Sequence, residues 1–560
     1  MKNEHTIPWW VTLLCLATLV CGIAGHALWT ADEPREAEIA REMAGVIRGG
    51  AEGRSCAVPY LAGKPFVEKP PLYYWLSALM MLTAGKMIGT TAAARAFSAL
   101  CGAVTALLLW MVMKECLDRR RARSGALILV TTAGFFMASH WILIDPLLML
   151  LISAAVLFFF QGLDRDRPLI ILGAYLAAGL AFLTKGFVAW GLLAVPGCLL
   201  LTLHRRKVIG KPLLHLAGIV LLLGPGLAWA AAFHARGGPA LWQEWFINNN
   251  IGRFSGQTTH SHIKGPFYYL GIAPVLLLPW TPLLLGGFIR RRGERLGRRE
   301  PGERALLQIS LAWAVGGLVL LSLAGTKRDI YLYPLLPAFA VLSLFSLNKT
   351  PPWVKVIYRF LCPVLILPAV LLAFISPDLT GDKIGLAFSL KPAVLLLAAI
   401  GTYSLFRCKK NLLTRVLSAG AVFYLTVVFA AFPLIDVEKN YEPATRRLAA
   451  AITPEQRGRV GGWQTDETTR AVFSYYTGLT LIELRDKVQP EKNLGRLSKI
   501  LNGRDEEYEA VIVLLKKESE FPPEGMPPAR YRIQAEEQMG KNRRLLLITG
   551  APDTPGMNSE

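Results

Sequence analysis

Several short stretches of this chain carry ionisable or aromatic residues where apolar sequence surrounds them. The first is Trp29-Thr30-Ala31-Asp32-Glu33-Pro34-Arg35-Glu36, directly after an apolar run. A carboxylate held there reads as a general base. It reads equally as the cap of a helix that Pro34 would open. The second is Val67-Glu68-Lys69-Pro70-Pro71-Leu72-Tyr73-Tyr74-Trp75. Its prolines keep the chain extended before an apolar helix. Glu68 beside Lys69 on such a turn offers a site for a metal or a phosphate, or Lys69 merely snorkels to lipid headgroups. The third is Trp141-Ile142-Leu143-Ile144-Asp145-Pro146, one acid between two apolar runs. An ionisable group at membrane depth is costly, so Asp145 reads as functional before it reads as a cap.

Three more stretches follow. Thr184-Lys185-Gly186 ends an apolar run with an isolated charge, for snorkelling or for a ligand. Trp245 to Phe254 holds Asn248-Asn249-Asn250 and Arg253, whose guanidinium suits a bidentate grip on phosphate. His260 and His262 follow, a weak i, i+2 metal pair or two surface histidines. Gly325 to Pro334 carries Lys327, Arg328 and Tyr331, cations suited to a lipid or ligand phosphate. Carboxylates, cations and tyrosines in this number suit transfer from a lipid-phosphate donor. A base would take a proton from an acceptor hydroxyl, and cations would stabilise the departing phosphate. No Gly-rich nucleotide loop accompanies them, since Gly461-Gly462 alone is weak, so no nucleotide cofactor is expected.

The elements that must position these residues are membrane helices. The chain has 560 residues, 53% hydrophobic and 18% charged, with mean hydropathy +0.39. That excludes a soluble enzyme, a disordered chain and a fibrous protein. Apolar runs at 9–29, 95–117, 124–142, 146–163, 168–184, 187–203, 212–234, 267–289, 305–324, 331–347, 354–376, 391–406 and 412–433 predict thirteen spans, the first an uncleaved signal anchor. Strongly basic loops at 114–123, 203–211, 290–304 and 407–415 belong in the cytoplasm by the positive-inside rule. Thirteen spans with the N-terminus inside satisfy all four loops, provided 71–89 is a juxtamembrane or re-entrant helix on the outer face. The net charge of +21 then reports topology and not nucleic acid. All six stretches fall on the outer side. The predicted organisation is a membrane domain over 1–435 and a small outer α/β domain over 436–560, where helical and extended patterns alternate.

DEPREAEIAREM, EKPPLYYW, LIDP, TKG, NIGRF with PFYYL, and KRDIYLYPLLP occur here in one order. That order resembles the polyprenyl-phosphate-sugar-dependent membrane glycosyltransferases of the C-type fold. The likeness covers the first 345 residues, and is nearest to lipid A 4-amino-4-deoxy-L-arabinose transferases and more distant to protein O-mannosyltransferases. It implies a polytopic enzyme of the bacterial inner membrane with its site and C-terminus on the periplasmic side. The sugar would come from an undecaprenyl-phosphate donor and pass, with inversion, to an outer-face lipid or protein acceptor such as lipid A. It implies Asp32 as the catalytic carboxylate and Asp145 as the acid of the second outer connection. Lys69, Arg253 and Tyr331 would contact the donor phosphate, with Lys185 and Lys327 as further candidates, and Glu68 would match a metal-associated glutamate. The arabinose transferases tend to carry histidine where this chain has Asn250, so His260 or His262 would have to complete a divalent-metal site. A rival of another class is a secondary transporter or lipid flippase, but such proteins bind at midplane between broken helices and often show repeats. Here the charges cluster at span ends and no repeat is visible.

Overall fold

The computed structural model describes residues 7–29, 32–50, 53–252, 264–291, 300–347, 350–374, 391–408, 411–484, 490–516 and 519–550. Among them, eight helices are long and apolar enough to cross a membrane, or up to ten if each of two bent pairs is one span, and three shorter apolar helices join them. The chain divides into two compact units. The larger comprises Met1–Gly25, Gly49–Pro59 and Phe66–Pro433; the smaller comprises His26–Arg48, Tyr60–Pro65 and Leu434–Glu560.

The larger unit begins with α1 (Trp9–Val20) and continues with α3 (Leu72–Ile88), α4 (Thr90–Cys116), α5 (Arg119–Val130), α6 (Ala133–His140), α7 (Asp145–Arg165), α8 (Pro168–Lys185) and α9 (Phe187–Leu203). α2 (Asp32–Ile47) belongs to the smaller unit. Pro146 and Pro168 each sit in a first helical turn, where the missing N–H costs nothing. α3 is not among the helices long and apolar enough to span, and it turns into α4 at Gly89. Small residues let helices approach closely where lipid supplies no hydrophobic drive. A Cβ at Gly179 on α8 would lie 2.7 Å from the Leu221 and Leu222 carbonyls of the helix Pro212–Gln243.

Two expected spans are broken. The run at 124–142 lies across α5 and α6, bent by 65°, and the run at 267–289 divides into Tyr268–Leu276 and Thr281–Ile289, bent by 117°. Freed carbonyls at membrane depth need partners. The Leu278 carbonyl accepts from the Ala133 N–H at 2.8 Å and the Tyr424 hydroxyl at 3.2 Å. The Pro279 carbonyl accepts from Tyr358 at 2.9 Å, and the Trp280 indole donates to Thr131 at 3.1 Å. The two breaks thus satisfy each other. The run at 212–234 departs differently: helix continues, across a kink at Gly238, to Gln243 and then as a π-helix over Glu244–Gly252. Trp229, Phe233, Trp242, Trp245 and Phe246 stack on one another there, which holds a polar-looking loop in helical form.

The smaller unit carries a hairpin, β1 (Tyr60–Leu61) and β2 (Lys64–Pro65), and a five-stranded sheet of β3 (Val460–Trp463), β4 (Ile482–Glu483), β5 (Ala510–Lys516), β6 (Tyr531–Gln538) and β7 (Arg543–Gly550). The sheet order is β4-β3-β5-β7-β6, with β3 parallel to β4 and β5, and β7 antiparallel to β5 and β6. Successive β5 side chains serve opposite faces. Ala510, Ile512 and Leu514 pack with Leu448, Val472 and Phe473 of the helices Glu442–Ala450 and Glu467–Thr477. Val511, Val513 and Leu515 pack with Leu497 and Ile500 of Pro490–Leu501. The expected single division after residue 435 leaves 26–48 and 60–65 on the membrane side. The structure groups them with the C-terminal unit instead, because α2 packs along Glu467–Thr477 and the Glu42 carboxylate holds the Gly63 N–H of the hairpin at 2.7 Å.

Candidate functional site

α7 begins at Asp145 and α8 ends at Lys185. A carboxylate in a first turn and an ammonium in a last turn each complement the helix dipole. The two side chains form an ion pair, Lys185 Nζ to Asp145 Oδ1, with only 8% and 3% of their side-chain surfaces exposed. Lys185 Nζ also stands 4.3 Å from the centre of the Tyr331 ring, a cation–π contact. Asp145 is therefore not a free carboxylate in this arrangement. It neutralises Lys185 and fixes where the ammonium sits.

Lys185 and Tyr331 open on a cavity of about 430 Å³. Its polar lining comes from Lys69, Lys185, Asn249, Asn250, Thr326 and Tyr331; Leu148, Phe187, Leu192 and Leu320 supply apolar wall. The main polar groups come from separate segments. Lys69 comes from the turn before α3, Lys185 from the end of α8, the asparagines from the π-helix, and Tyr331 from a 3₁₀ turn over Asp329–Leu335. Gly186 is at φ +72°, and a Cβ there would sit 3.0 Å from Asn250 Oδ1. Glycine is needed for both reasons. The Asn250 amide donates to the Trp245 carbonyl at 2.7 Å, and Asn249 donates to the Glu244 carbonyl at 3.2 Å. A short polar run after a Trp-rich helix was the available signal for these asparagines, but it also reads as an ordinary loop.

The other sequence candidates lie elsewhere. Glu68 adjoins Lys69, whose Nζ is 3.4 Å from the Glu68 carbonyl oxygen. Lys327 is buried, and its Nζ donates to the Ala324 carbonyl at the end of the helix Pro301–Leu323 and to the Lys264 carbonyl at 3.0 Å. It is absent from the cavity lining named above. Arg253, His260 and His262 lie outside the described residues. Among the described residues, no three His, Cys, Asp or Glu side chains gather as a metal would require.

Asp32 belongs to the smaller unit, in the first turn of α2. Arg35 Nη2 holds Asp32 Oδ1 and Glu36 Oε1 at 2.9 Å each, and Arg35 Nη1 approaches Glu467 at 3.5 Å. Its neighbour Glu33 is fully buried and accepts from the Trp29 N–H at 3.0 Å. The two adjacent acids, interchangeable in sequence, thus take different jobs. Further along α2, Arg41 grips Glu38 through two hydrogen bonds of 2.7 and 2.8 Å. Burial still pushes the Glu38 carboxyl up to about 7, against the pull of Arg41, while the same contact raises Arg41.

Comparison with known proteins follows the same lines. The family described as dolichyl-phosphate-mannose-protein mannosyltransferase matches residues 68–229. The undecaprenyl phosphate-alpha-4-amino-4-deoxy-L-arabinose arabinosyl transferase of Edwardsiella ictaluri is 30% identical over 71% of this chain and 71% of its own length. Its counterpart in Serratia proteamaculans is 31% identical over 60% of this chain, and the match spans 58% of that relative's length. The fold resembles ArnT from Cupriavidus metallidurans, crystallised with undecaprenyl phosphate, at a TM-score of 0.74 and 19% identity over 96% of this chain and 98% of that one. It resembles the archaeal oligosaccharyltransferase AglB from Archaeoglobus fulgidus more loosely, at 0.52 and 12% identity over 91% and 69% of the two chains. On the extent and identity of the Edwardsiella match, this chain belongs to the undecaprenyl phosphate-alpha-4-amino-4-deoxy-L-arabinose arabinosyl transferase family.

Proposed function

We propose that this protein transfers a sugar, 4-amino-4-deoxy-L-arabinose by analogy with its named relatives, from an undecaprenyl-phosphate donor to an outer-face acceptor such as lipid A. The observation that carries the reading is the cavity where Lys69, Lys185, Tyr331 and two asparagines meet among apolar walls. A phosphodiester donor has one negative charge and its leaving phosphate monoester has up to two. Cations already fixed beside the departing oxygen favour that change without reorganising. The acceptor oxygen attacks the sugar's anomeric carbon, the bond from that carbon to the phosphate oxygen breaks, and configuration inverts in one displacement. Asp32 takes the proton when the acceptor is a hydroxyl.

The proposed topology has thirteen spans, the N-terminus inside, and the cavity and C-terminal α/β unit on the periplasmic side. The bent pairs and shorter apolar helices supply the spans beyond the eight longest. Lys69 binds the donor phosphate directly, and Arg253 joins it there. Lys185 does so as half of a neutral pair with Asp145, which makes Asp145 a positioning group. Glu68 with His260 or His262 is the candidate set for a divalent metal, and no step above depends on one. Mass spectrometry of lipid A and envelope glycoconjugates, with and without the gene, tests the reading: one pentosamine-sized mass increment should vanish with the gene. Asp32→Asn should abolish transfer at normal expression, and full activity in that variant overturns Asp32 as the base.

A further inference from the structure

The segment that leads into Asp32 is held by the C-terminal unit at several points. Asp436 Oδ1 accepts from the Ala27 N–H at 2.8 Å and from the Trp29 indole N–H at 2.6 Å. Between them the Leu28 N–H donates to the Tyr476 hydroxyl at 3.1 Å. Ala27, Leu28 and Trp29 are all buried, so these donors would otherwise lack water as a partner. On the other side of Asp32, Arg35 ties the carboxylate to Glu467.

The Tyr476 and Glu467 holds meet on one helix, while Asp436 belongs to another, Phe432–Lys439. Glu467 opens Glu467–Thr477 and Tyr476 is in its last turn. The helix is itself fixed at its start, where Asp466 caps Thr469 at 2.8 Å and Arg543 of β7 grips the other Asp466 oxygen at 2.8 Å. A continuous path therefore runs from the sheet through Arg543, Asp466 and Glu467 to Arg35 and Asp32. Tyr476 and Asp436 each reach residues 27–29 separately. Asp32 is itself buried, so Arg35 rather than water holds its carboxylate, and its position follows the backbone these contacts fix.

We propose that Asp436 and Tyr476 are positioning residues of the transfer reaction, clamping residues 27–29 so that the Asp32 carboxylate is held in reactive geometry. The inference rests on Asp32 being the base, as proposed above. Its chemistry is acceptance of hydrogen bonds and not negative charge. An asparagine at 436 retains an oxygen that can accept from both Ala27 and Trp29, while an alanine retains none.

The full-length protein in proteoliposomes with its sugar–lipid donor provides the test. Asp436→Ala should lower kcat at least about tenfold with donor KM changed less than about twofold, as expected when a reacting group is misplaced but the donor site is intact. Asp436→Asn should recover to within about threefold of the parent, and Tyr476→Phe should lose about threefold. Amide hydrogen exchange should quicken at residues 27–29 in Asp436→Ala while β5 and β7 stay protected. Unchanged kcat in Asp436→Ala with quickened exchange overturns the clamp. So do equal losses in the alanine and asparagine variants, or loss of protection across the whole sheet. Full activity of Asp32→Asn instead overturns the base assignment, a result separable from any seen at Asp436.

Discussion

The membrane unit holds its central charges by pairing them, and the C-terminal unit adds to the Arg35–Asp32 pair a set of hydrogen bonds on the segment that leads into it. Asp145 and Lys185 come from the ends of two helices, are almost wholly buried, and neutralise each other beside Tyr331. Asp32 sits in a first turn with Arg35 at 2.9 Å, and the segment before it is tied down through buried N–H groups. The difference follows from the two solvents. Where water is scarce, a lone charge costs several kcal/mol, so a cation must bring its own counterion. In a unit built around a sheet, backbone donors are available and a charge can be placed by what surrounds it. In the proposed reaction one unit therefore sets electrostatic potential, and the other sets position.

Breaking the buried pair tests that contrast most severely. Asp145→Asn leaves Lys185 buried without its counterion, a change that costs about 3–5 kcal/mol where it has been measured elsewhere. Transfer should fall about a hundredfold or more, followed by donor turnover in proteoliposomes. Asp145→Asn combined with Lys185→Met should recover thermal stability, since no charge is then stranded, but should not recover transfer. Recovery of activity in the double variant would mean that the pair serves folding alone. Lys69 reaches the cavity from a separate segment, the turn before α3, so Lys69→Ala should act on the donor. A hydrogen bond to a charged group is worth about 1.5–3 kcal/mol, which corresponds to a rise in donor KM of about tenfold or more. A fall in kcat at unchanged KM would instead assign Lys69 to the transition state.

The C-terminal unit has its own lever, Glu38. Its carboxyl is raised by burial to about 7, above the ordinary value of 4.5. The folded state thus holds a proton that the unfolded state has lost between those values. The resulting stability is fully present below the lower value and is lost as pH rises through the upper one. Amide exchange in α2, corrected for its intrinsic pH dependence, should show local opening becoming easier from pH 5 to pH 8. Glu38→Gln should flatten that trend. A trend that survives the substitution assigns it to another group.

How much of this was legible in sequence depends on how local the cause is. Apolar run length predicted the helices well, because crossing hydrocarbon is a property of one segment. The breaks at Thr131-Thr132 and Leu277–Trp280 were illegible, because Tyr358, Tyr424 and Ala133, which satisfy the freed groups, come from distant segments. The β6 strand is illegible because charges stand on both of its faces, Arg532 and Glu536 exposed and Glu537 partly buried, which masks the alternation of an edge strand. Asp145, Lys185 and Tyr331 each stood out as isolated polar residues. Their pairing did not, since Asp145 and Lys185 are separated by 40 positions and nothing in either segment names the other. Asp436 and Tyr476 carried no signal at all: their partners are backbone N–H groups, which every residue has.

Lys327 gives the smallest expected effect and the finest distinction. Sequence places it beside Lys69 and Lys185 as a phosphate ligand, since a cation at an outer-face span end runs against the positive-inside trend. The structure gives its ammonium two carbonyl partners, Ala324 at the end of the helix Pro301–Leu323 and Lys264. A lysine near a helix C-terminus satisfies orphan carbonyls and complements the dipole. Donor binding would require it to leave both. The expected result for Lys327→Met is a modest loss of thermal stability, about 0.5–1 kcal/mol as for other dipole-complementing cations, with donor KM changed less than about twofold. Lys69→Ala under the same assay supplies the contrast. If Lys327→Met raises donor KM as far as Lys69→Ala does, the ammonium swings into the cavity when the donor arrives. The membrane unit would then be setting position as well as potential, and the division between the two units would fail at this residue.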